Sequence, residues 1–493
     1  MTGGLIQLVS QGVENIFLTG DPRITFFKVV YRRHTNFSSE QIPCQFSSEL
    51  NFGKKSTCLI SKQGDLVGPI HLVITLPAIS SINLNKFTDI AWVKKIGFAI
   101  VKKVEIIMAG QVIDKQFGEW LNIWYELTSS RQSDSGYDKM IGNIDSLTNF
   151  SQNKDEYTLY IPLQFWFCKN PGLSLPLVCL QHTDVKINIE LNELDKCLLV
   201  SPTHYINIIN DFVALEPFEY IEQQVDGKVA SGIFSHFDFS SKRLYYIKTS
   251  QFDFSSQSND NALDKRNIKY FIKGKKTKSI IIPVHDSVTH FYNKKIFKNH
   301  FDKIHIPKCF LLVSYIFLDE GERTRFMKAK QDYLIEQVSE ITEQVIESSN
   351  AVVKLGIFHP CKFLTWIVQH SYNKNRFNYT NSVDGKSIIK QESLQLNGRE
   401  RISFREYQYF NYVQPYQIFR SSPPEGINLY SFSLFADKFQ PSGSCNMSLM
   451  DNIQIKMKLD SDVSTSNPVL FRGYAVNYQI LRIAHGLCAP LFV

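Results

Sequence analysis

The chain has 493 residues, 43% hydrophobic and 13% aromatic with 37 Phe and 22 Tyr, which predicts two or three domains built from thickly packed sheet. A net charge of +7 is small for that length and gives no support to nucleic-acid binding. No run of about 18 uncharged apolar residues occurs and no signal-like leader opens the chain, so neither a membrane span nor secretion is expected.

Residues 1–24 read as an N-terminal arm. Leu5, Ile6, Val9, Val13, Ile16 and Phe17 share one helical face ahead of Gly20-Asp21-Pro22, a helix that either packs on its own domain or seeks a partner. From Ile24 the pattern turns to strand, first in ITFFKVVYRR and again between Pro69 and Pro77. Val101 to Asp114 predicts a hairpin around Ala109-Gly110. Phe117, Trp120, Leu121, Trp124 and Tyr125 form a helical stripe, expected to plug one end of a sandwich. Strands are expected again over Tyr157 to Phe167, Leu173 to Leu180 and Val185 to Leu191.

Between about 216 and 305 the texture becomes polar and basic, which reads as a long surface insertion with its own hairpins. It holds the run Lys273 to Lys278, KGKKTK, most simply a solvated loop. Cys309 to Phe317 then closes a first domain of residues 25–318 as a nearly continuous apolar strand. Asp319 and Glu322 have capping-box spacing, and Met327, Leu334, Val338, Ile341 and Val345 recur with helical period, so 319–345 is predicted to be a connecting helix. Residues 346–493 form a second strand-rich domain. Its clearest punctuation is Gln440 to Asn452, QPSGSCNMSLMDN, a wide corner between two alternating apolar runs.

The search for chemistry returns little. Phosphate-loop, dinucleotide, hydrolase-elbow and zincin motifs are all missing from the sequence. His285, His290, His300 and His305 are the one histidine-rich stretch, but Pro283, Pro307 and the Asn and Lys around them argue for loop rather than a metal-binding helix. Tyr270 and Phe271 beside the lysine run have the mixture that stacks bases, without any recognised nucleic-acid motif. Glu322 and Arg323 read as an ion pair, solvated or between domains. The nine cysteines, Cys44, Cys58, Cys168, Cys179, Cys197, Cys309, Cys361, Cys445 and Cys488, have no C-x-x-C and no regular spacing, so they are expected to stay reduced. The sequons at Asn36, Asn149, Asn378 and Asn446 are expected to stay bare. No catalytic, cofactor-binding or metal-binding residue is assigned.

Several stretches together resemble the major capsid proteins of nucleocytoplasmic large DNA viruses. They are the opening Gly3 to Ser38, the FLDEGER…YLIEQ segment from Phe317, His359-Pro360 with the strand FLTWIVQ, and the hairpin of Leu394, Leu396, Asn397, Gly398 and Arg401. Tyr409-Phe410 with Val413 to Tyr416, the PSGSCN corner and the final strand YAVNYQILRI complete the set. The resemblance implies an all-β double jelly roll, two eight-stranded antiparallel sandwiches side by side with a few short helices and long surface loops. It also implies a non-enzymatic shell protein of the virion, assembled in the host cytoplasm, whose trimers of near-hexagonal outline tile an icosahedral capsid. Its partners would be itself, minor capsid or penton proteins and an internal membrane surface, with no specific nucleic acid. The insertion would face outward and the arm inward. Two rival readings remain: a minor capsid paralogue or assembly scaffold of the same fold, and a jelly-roll glycan-binding protein or glycan-active enzyme, which aromatic platforms beside paired carboxylates in a groove would favour.

Overall fold

The computed structural model describes residues 3–492 except 16–18, 23–32, 81–88, 130–134, 211–212, 217–218, 257–269, 285–289, 292–303, 371–376, 381–385, 462 and 466. The strand read from Ile24 lies outside the described residues. The arm opens with helix α1 (Gly3–Val9), none of whose residues is buried.

Eight strands follow: β1 (Phe37–Gln45), β2 (Lys55–Leu59), β3 (Leu66–Leu76), β4 (Val101–Met108), β5 (Gln111–Phe117), β6 (Tyr157–Pro162), β7 (Val185–Leu191) and β8 (Lys308–Leu318). In β7, for example, Val185, Ile187, Ile189 and Leu191 are buried while Lys186 is exposed, the period of a half-buried strand. The strands pair from the outside in, β1 with β8, β2 with β7, β3 with β6 and β4 with β5, all antiparallel. Two facing sheets result, of order β1-β8-β3-β6 and β2-β7-β4-β5.

The second half repeats the scheme with β9 (Gln331–Ile346), β10 (Asn350–Lys354), β11 (Pro360–His370), β12 (Ile389–Leu396), β13 (Arg399–Glu406), β14 (Asn428–Ser431), β15 (Ile453–Leu459) and β16 (Val469–Ala484). Its sheets run β9-β16-β11-β14 and β10-β15-β12-β13, so adding eight to each label of the first half gives the second. Nested ribbons closed into facing sheets are jelly rolls, and the expected double jelly roll is what the chain forms. The β4–β5 hairpin turns at Ala109-Gly110 and the β12–β13 hairpin at Asn397-Gly398, both pairs at positive φ, as tight hairpin turns require.

Three readings need correction. The helix expected over 319–345 is only α3 (Glu320–Lys328); residues 331–346 are strand β9, paired along β16. Where β9 is covered on both faces its period-two signal fades: Val338 joins the first roll's core and Ile341 the second's, and the exposed Val345 completes a helix-like spacing. The strand expected over Tyr157 to Phe167 ends at Pro162, and Trp166–Lys169 is a helical turn. Leu173 to Leu180 is not a strand: Pro171–Leu173 and Leu177–Cys179 are single 3-10 turns, each beside a proline that cannot donate to a ladder.

The insertion is more than loops. From His204 onward it builds a sheet of seven strands with a separate core that includes Ile206, Ile221, Phe234, Leu244, Tyr246 and Ile272. Its sheet thus begins earlier than the boundary of 216 expected from composition.

Helix α2 (Gly118–Thr128) is the predicted aromatic stripe, but it sits between the rolls rather than at one end. The sheet β9-β16-β11-β14 is therefore covered twice. Leu364, Trp366, Phe471 and Ala475 enter the second roll's own core, while Phe363, Ile367, Tyr474 and Val476 join the core of the first. Burying each of Phe363, Ile367 and Val476 there stabilises the joint by about 1.5–3 kcal/mol.

Candidate functional site: the seam and the base

The seam between the rolls is held by aromatic packing and by charges locked into pairs. Trp120 of α2 stacks on Phe363 at 6.2 Å between ring centres and tilts against Tyr474 at 5.8 Å. Beside it Glu119 meets Arg472 at 3.0 Å and accepts a hydrogen bond from the Tyr474 hydroxyl at 3.1 Å. Asp114, at the start of the seam, accepts from the Val338 amide at 2.9 Å. Burial pushes the Asp114 carboxyl up to about 7 against that bond.

Glu336 of β9 bonds Lys362, which is almost fully buried, and lies 3.4 Å from Lys169. Burial alone would raise its carboxyl, but the two lysines hold it below the usual range. Lys362 also donates to the Lys438 carbonyl at 2.7 Å. A cleft of about 560 Å³ opens here, lined by Trp124, Lys169, Glu336, Phe419, Asp437 and Phe439. Aromatic rings and two carboxylates in one groove are the pattern that would favour a glycan site. Here, however, Glu336 is neutralised by two lysines, and the Lys169 ammonium covers the Trp124 ring at 4.1 Å. Glu336 is therefore not a free acid and the Trp124 ring is not an open platform, which leaves the exposed Asp437 without the paired carboxylate that glycan chemistry uses.

The other candidates resolve as structure. Arg323 pairs with Asp65 at 3.1 Å, tying α3 to the first roll, and Asp319 caps that helix by accepting from the Glu322 amide at 2.9 Å. Within the lysine run, Lys275 meets Glu222 at 3.0 Å and Lys276 bonds Glu216, so those charges are matched within the insertion's sheet. His305 Nδ1 lies 2.6 Å from Asn51 Nδ2, and the side chains of His285, His290 and His300 lie outside the described residues. Among the described residues no group of three or more His, Cys, Asp or Glu is placed to hold a metal ion.

The corner Gln440 to Asn452 belongs to the base of the second roll. Gly443 has φ +137°, and a Cβ there would stand 2.7 Å from the Phe432 carbonyl oxygen. The corner is stitched to the turn before β11: Met447 N–H donates to the His359 carbonyl at 3.1 Å, and His359 N–H donates to Ser448 Oγ at 2.9 Å. Around it Leu449, Leu434 and Phe358 are 76%, 71% and 67% exposed, an apolar surface that water covers in the single chain.

Strand register places this base opposite the insertion. Leu191, from which the chain leaves toward the insertion, pairs with Val101, whereas Val185 pairs with Met108 beside the Ala109-Gly110 turn. The residues after that turn, Gln111 and Val112, line one cleft with Phe358, His359 and Phe492. The arm leaves from the same end, because Phe37 pairs with Leu318 while the insertion feeds into β8 at Lys308. Sequence reasoning missed the seam charges, since Glu119 and Arg472 become neighbours only through the fold.

Comparison with known proteins agrees with this architecture. Residues 25–226 match the family model of the major capsid protein N-terminus, and residues 322–489 that of the large eukaryotic DNA virus major capsid protein. The chain is 42% identical to Probable capsid protein 4 of Acanthamoeba polyphaga mimivirus, over 99% of this chain and 98% of that one. It is 30% identical to the major capsid protein of Phaeocystis pouchetii virus, over 99% of both. The crystal structure of PBCV-1 VP54 superposes with a TM-score of 0.63 at 23% identity, covering 95% of this chain and all of that one, a likeness of fold. A double jelly roll without catalytic equipment among its described residues, matched along its whole length in this way, belongs to the major capsid protein family of the large eukaryotic DNA viruses.

Proposed function

We propose that this chain is the main shell subunit of its virion, with three copies closing into a capsomer of pseudo-hexagonal outline. The observation that carries the reading is the repetition of one strand order in two rolls side by side. Three such chains present six similar sandwiches, so a threefold object fills a sixfold lattice position, and closed cyclic symmetry fixes the number of copies. In this reading the insertion faces outward. The base, with its apolar corner and the arm carrying α1, faces the capsid interior, toward minor capsid or penton proteins and an internal membrane surface. Assembly takes place in the host cytoplasm.

Light scattering of the purified chain is expected to return a trimer at micromolar concentration, since obligate contacts bury upwards of roughly 2,000 Å². Monomer across that range would refute it. Orientation is tested by limited proteolysis of intact particles: cuts within Lys273 to Lys278 with Arg23 and Lys28 protected are expected, and the reverse pattern would invert the capsomer.

A second reading is a minor capsid paralogue or assembly scaffold of the same fold, since the relative at 42% identity is named a probable capsid protein without the word major. The copy number of this chain per particle separates the two.

A further inference from the structure

Two cysteines that are far apart in sequence meet at the base of the second roll. Cys361 lies near the start of β11, Cys445 lies in the two-residue strand Cys445–Asn446, and the two are direct partners in an antiparallel pair. Partners in such a ladder hold their Cα atoms about 4.5–5.5 Å apart, within the roughly 4.4–6.8 Å that a disulfide spans. Both face one environment: Cys361 belongs to the second roll's apolar core and Cys445 packs against it.

A rival thiol pair exists in the first roll, where Cys44 and Cys58 neighbour each other and Cys44 Sγ stands 3.5 Å from the Tyr315 hydroxyl. Both of those are buried, Cys58 as completely as Cys361, so that pair has no partly exposed thiol to meet an oxidant first. Cys445 is only half-buried; burial raises its thiol above the ordinary value, and the Arg401 guanidinium nearby offsets part of that rise.

We propose that Cys361 and Cys445 form a redox modification site, a dithiol that a low-molecular-weight disulfide or a thiol oxidoreductase converts to a disulfide in the folded chain. Cys445 loses its proton to solvent and its thiolate attacks one sulfur of the oxidant, releasing the other as a thiolate that takes up a proton. Cys361, deprotonated in turn, attacks the Cys445 sulfur of the mixed disulfide and expels the second thiolate. The protein loses two hydrogens and the oxidant is reduced to two thiols. The bond fastens the Gln440 to Asn452 corner, which pairs with β11 through only Pro360–Asn446 and Cys361–Cys445, and so fixes the apolar surface of Leu434, Leu449 and Phe358. In a reducing compartment the dithiol stays open; in an oxidising one the corner is locked.

The test is peptide mapping of the full-length protein equilibrated in glutathione buffers of graded redox ratio and trapped by alkylation. The expected result is a Cys361–Cys445 linked peptide as the first bridge to form, a higher thermal midpoint that reductant reverses, and severalfold slower bridging in Arg401→Gln. Cys445→Ser, or Cys445→Ala should the serine variant fail to fold, is expected to abolish both the bridge and the shift. A Cys44–Cys58 bridge forming first would overturn the proposal. So would a lasting mixed disulfide on Cys445, or both thiols remaining open to alkylation throughout.

Discussion

Replacing Glu392 with Gln should alter how stability depends on pH more than it alters stability at low pH. Glu392, on β12, is completely buried, and its Oε2 accepts a hydrogen bond from Trp366 Nε1 at 2.8 Å across the second roll's core. Its Oε1 has no hydrogen-bond partner among the described residues. Burial therefore pushes the carboxyl from its ordinary 4.5 up to about 8, with the Trp366 bond pulling weakly the other way. The folded chain holds this proton more tightly than the unfolded chain. The associated stability is complete below pH 4.5 and is lost as pH rises through 8. The gap between 4.5 and about 8, at about 1.4 kcal/mol for each pH unit, makes the loss about 5 kcal/mol. Glutamine keeps an acceptor for Trp366 and removes the titration. Urea unfolding of both proteins from pH 5 to pH 9 should show a difference that grows in favour of the variant by several kcal/mol. A difference that stays constant with pH would mean Glu392 is already ionised in the fold, and the reasoning would fail.

Trp120→Ala should cost about 3–5 kcal/mol and loosen the seam, seen as faster tryptic cleavage within Glu320–Lys328; unchanged cleavage would show that α2 does not hold the rolls together. Lys362→Met leaves Glu336 with Lys169 as its remaining ion partner and should destabilise by about 3–5 kcal/mol, while the double variant with Glu336→Leu should recover most of that in the same urea titration. Gly443→Ala forces a side chain against the Phe432 carbonyl and should cost about 1–3 kcal/mol, read as a lower thermal midpoint; an unchanged midpoint would show that the corner can relax.

Local signals made the rolls legible: strict alternation in β7, paired turn residues at Ala109-Gly110 and Asn397-Gly398, and the aromatic stripe of α2. What stayed hidden depends on the partner across the space. The character of β9 is decided by its long pairing with β16, more than a hundred residues downstream, which overrides a helix-like spacing of Leu334, Val338 and Ile341. The position of α2 could not be read because a helical stripe says that something covers it, not what. The insertion's core was obscured by its polar loops, which dilute Ile206, Phe234 and Ile272 below any visible pattern. Cysteine spacing concealed the Cys361–Cys445 pairing for the same reason, since the ladder that joins them is set by tertiary structure.

The doubly covered sheet of the second roll has a consequence for synthesis. Trp120 emerges from the ribosome long before Tyr474, the ring it tilts against in the finished fold. At about 5–20 residues per second, that interval lasts roughly 20–70 s, during which the outer face of α2 is a bare aromatic surface. The first roll is thus born incomplete, and the second cannot stand alone either, because Phe363, Tyr474 and Val476 would greet water on its flank. A gene fragment encoding one roll should yield inclusion bodies unless the other is supplied, so the doubled chain behaves as a single folding commitment in which chaperone occupancy bridges the wait.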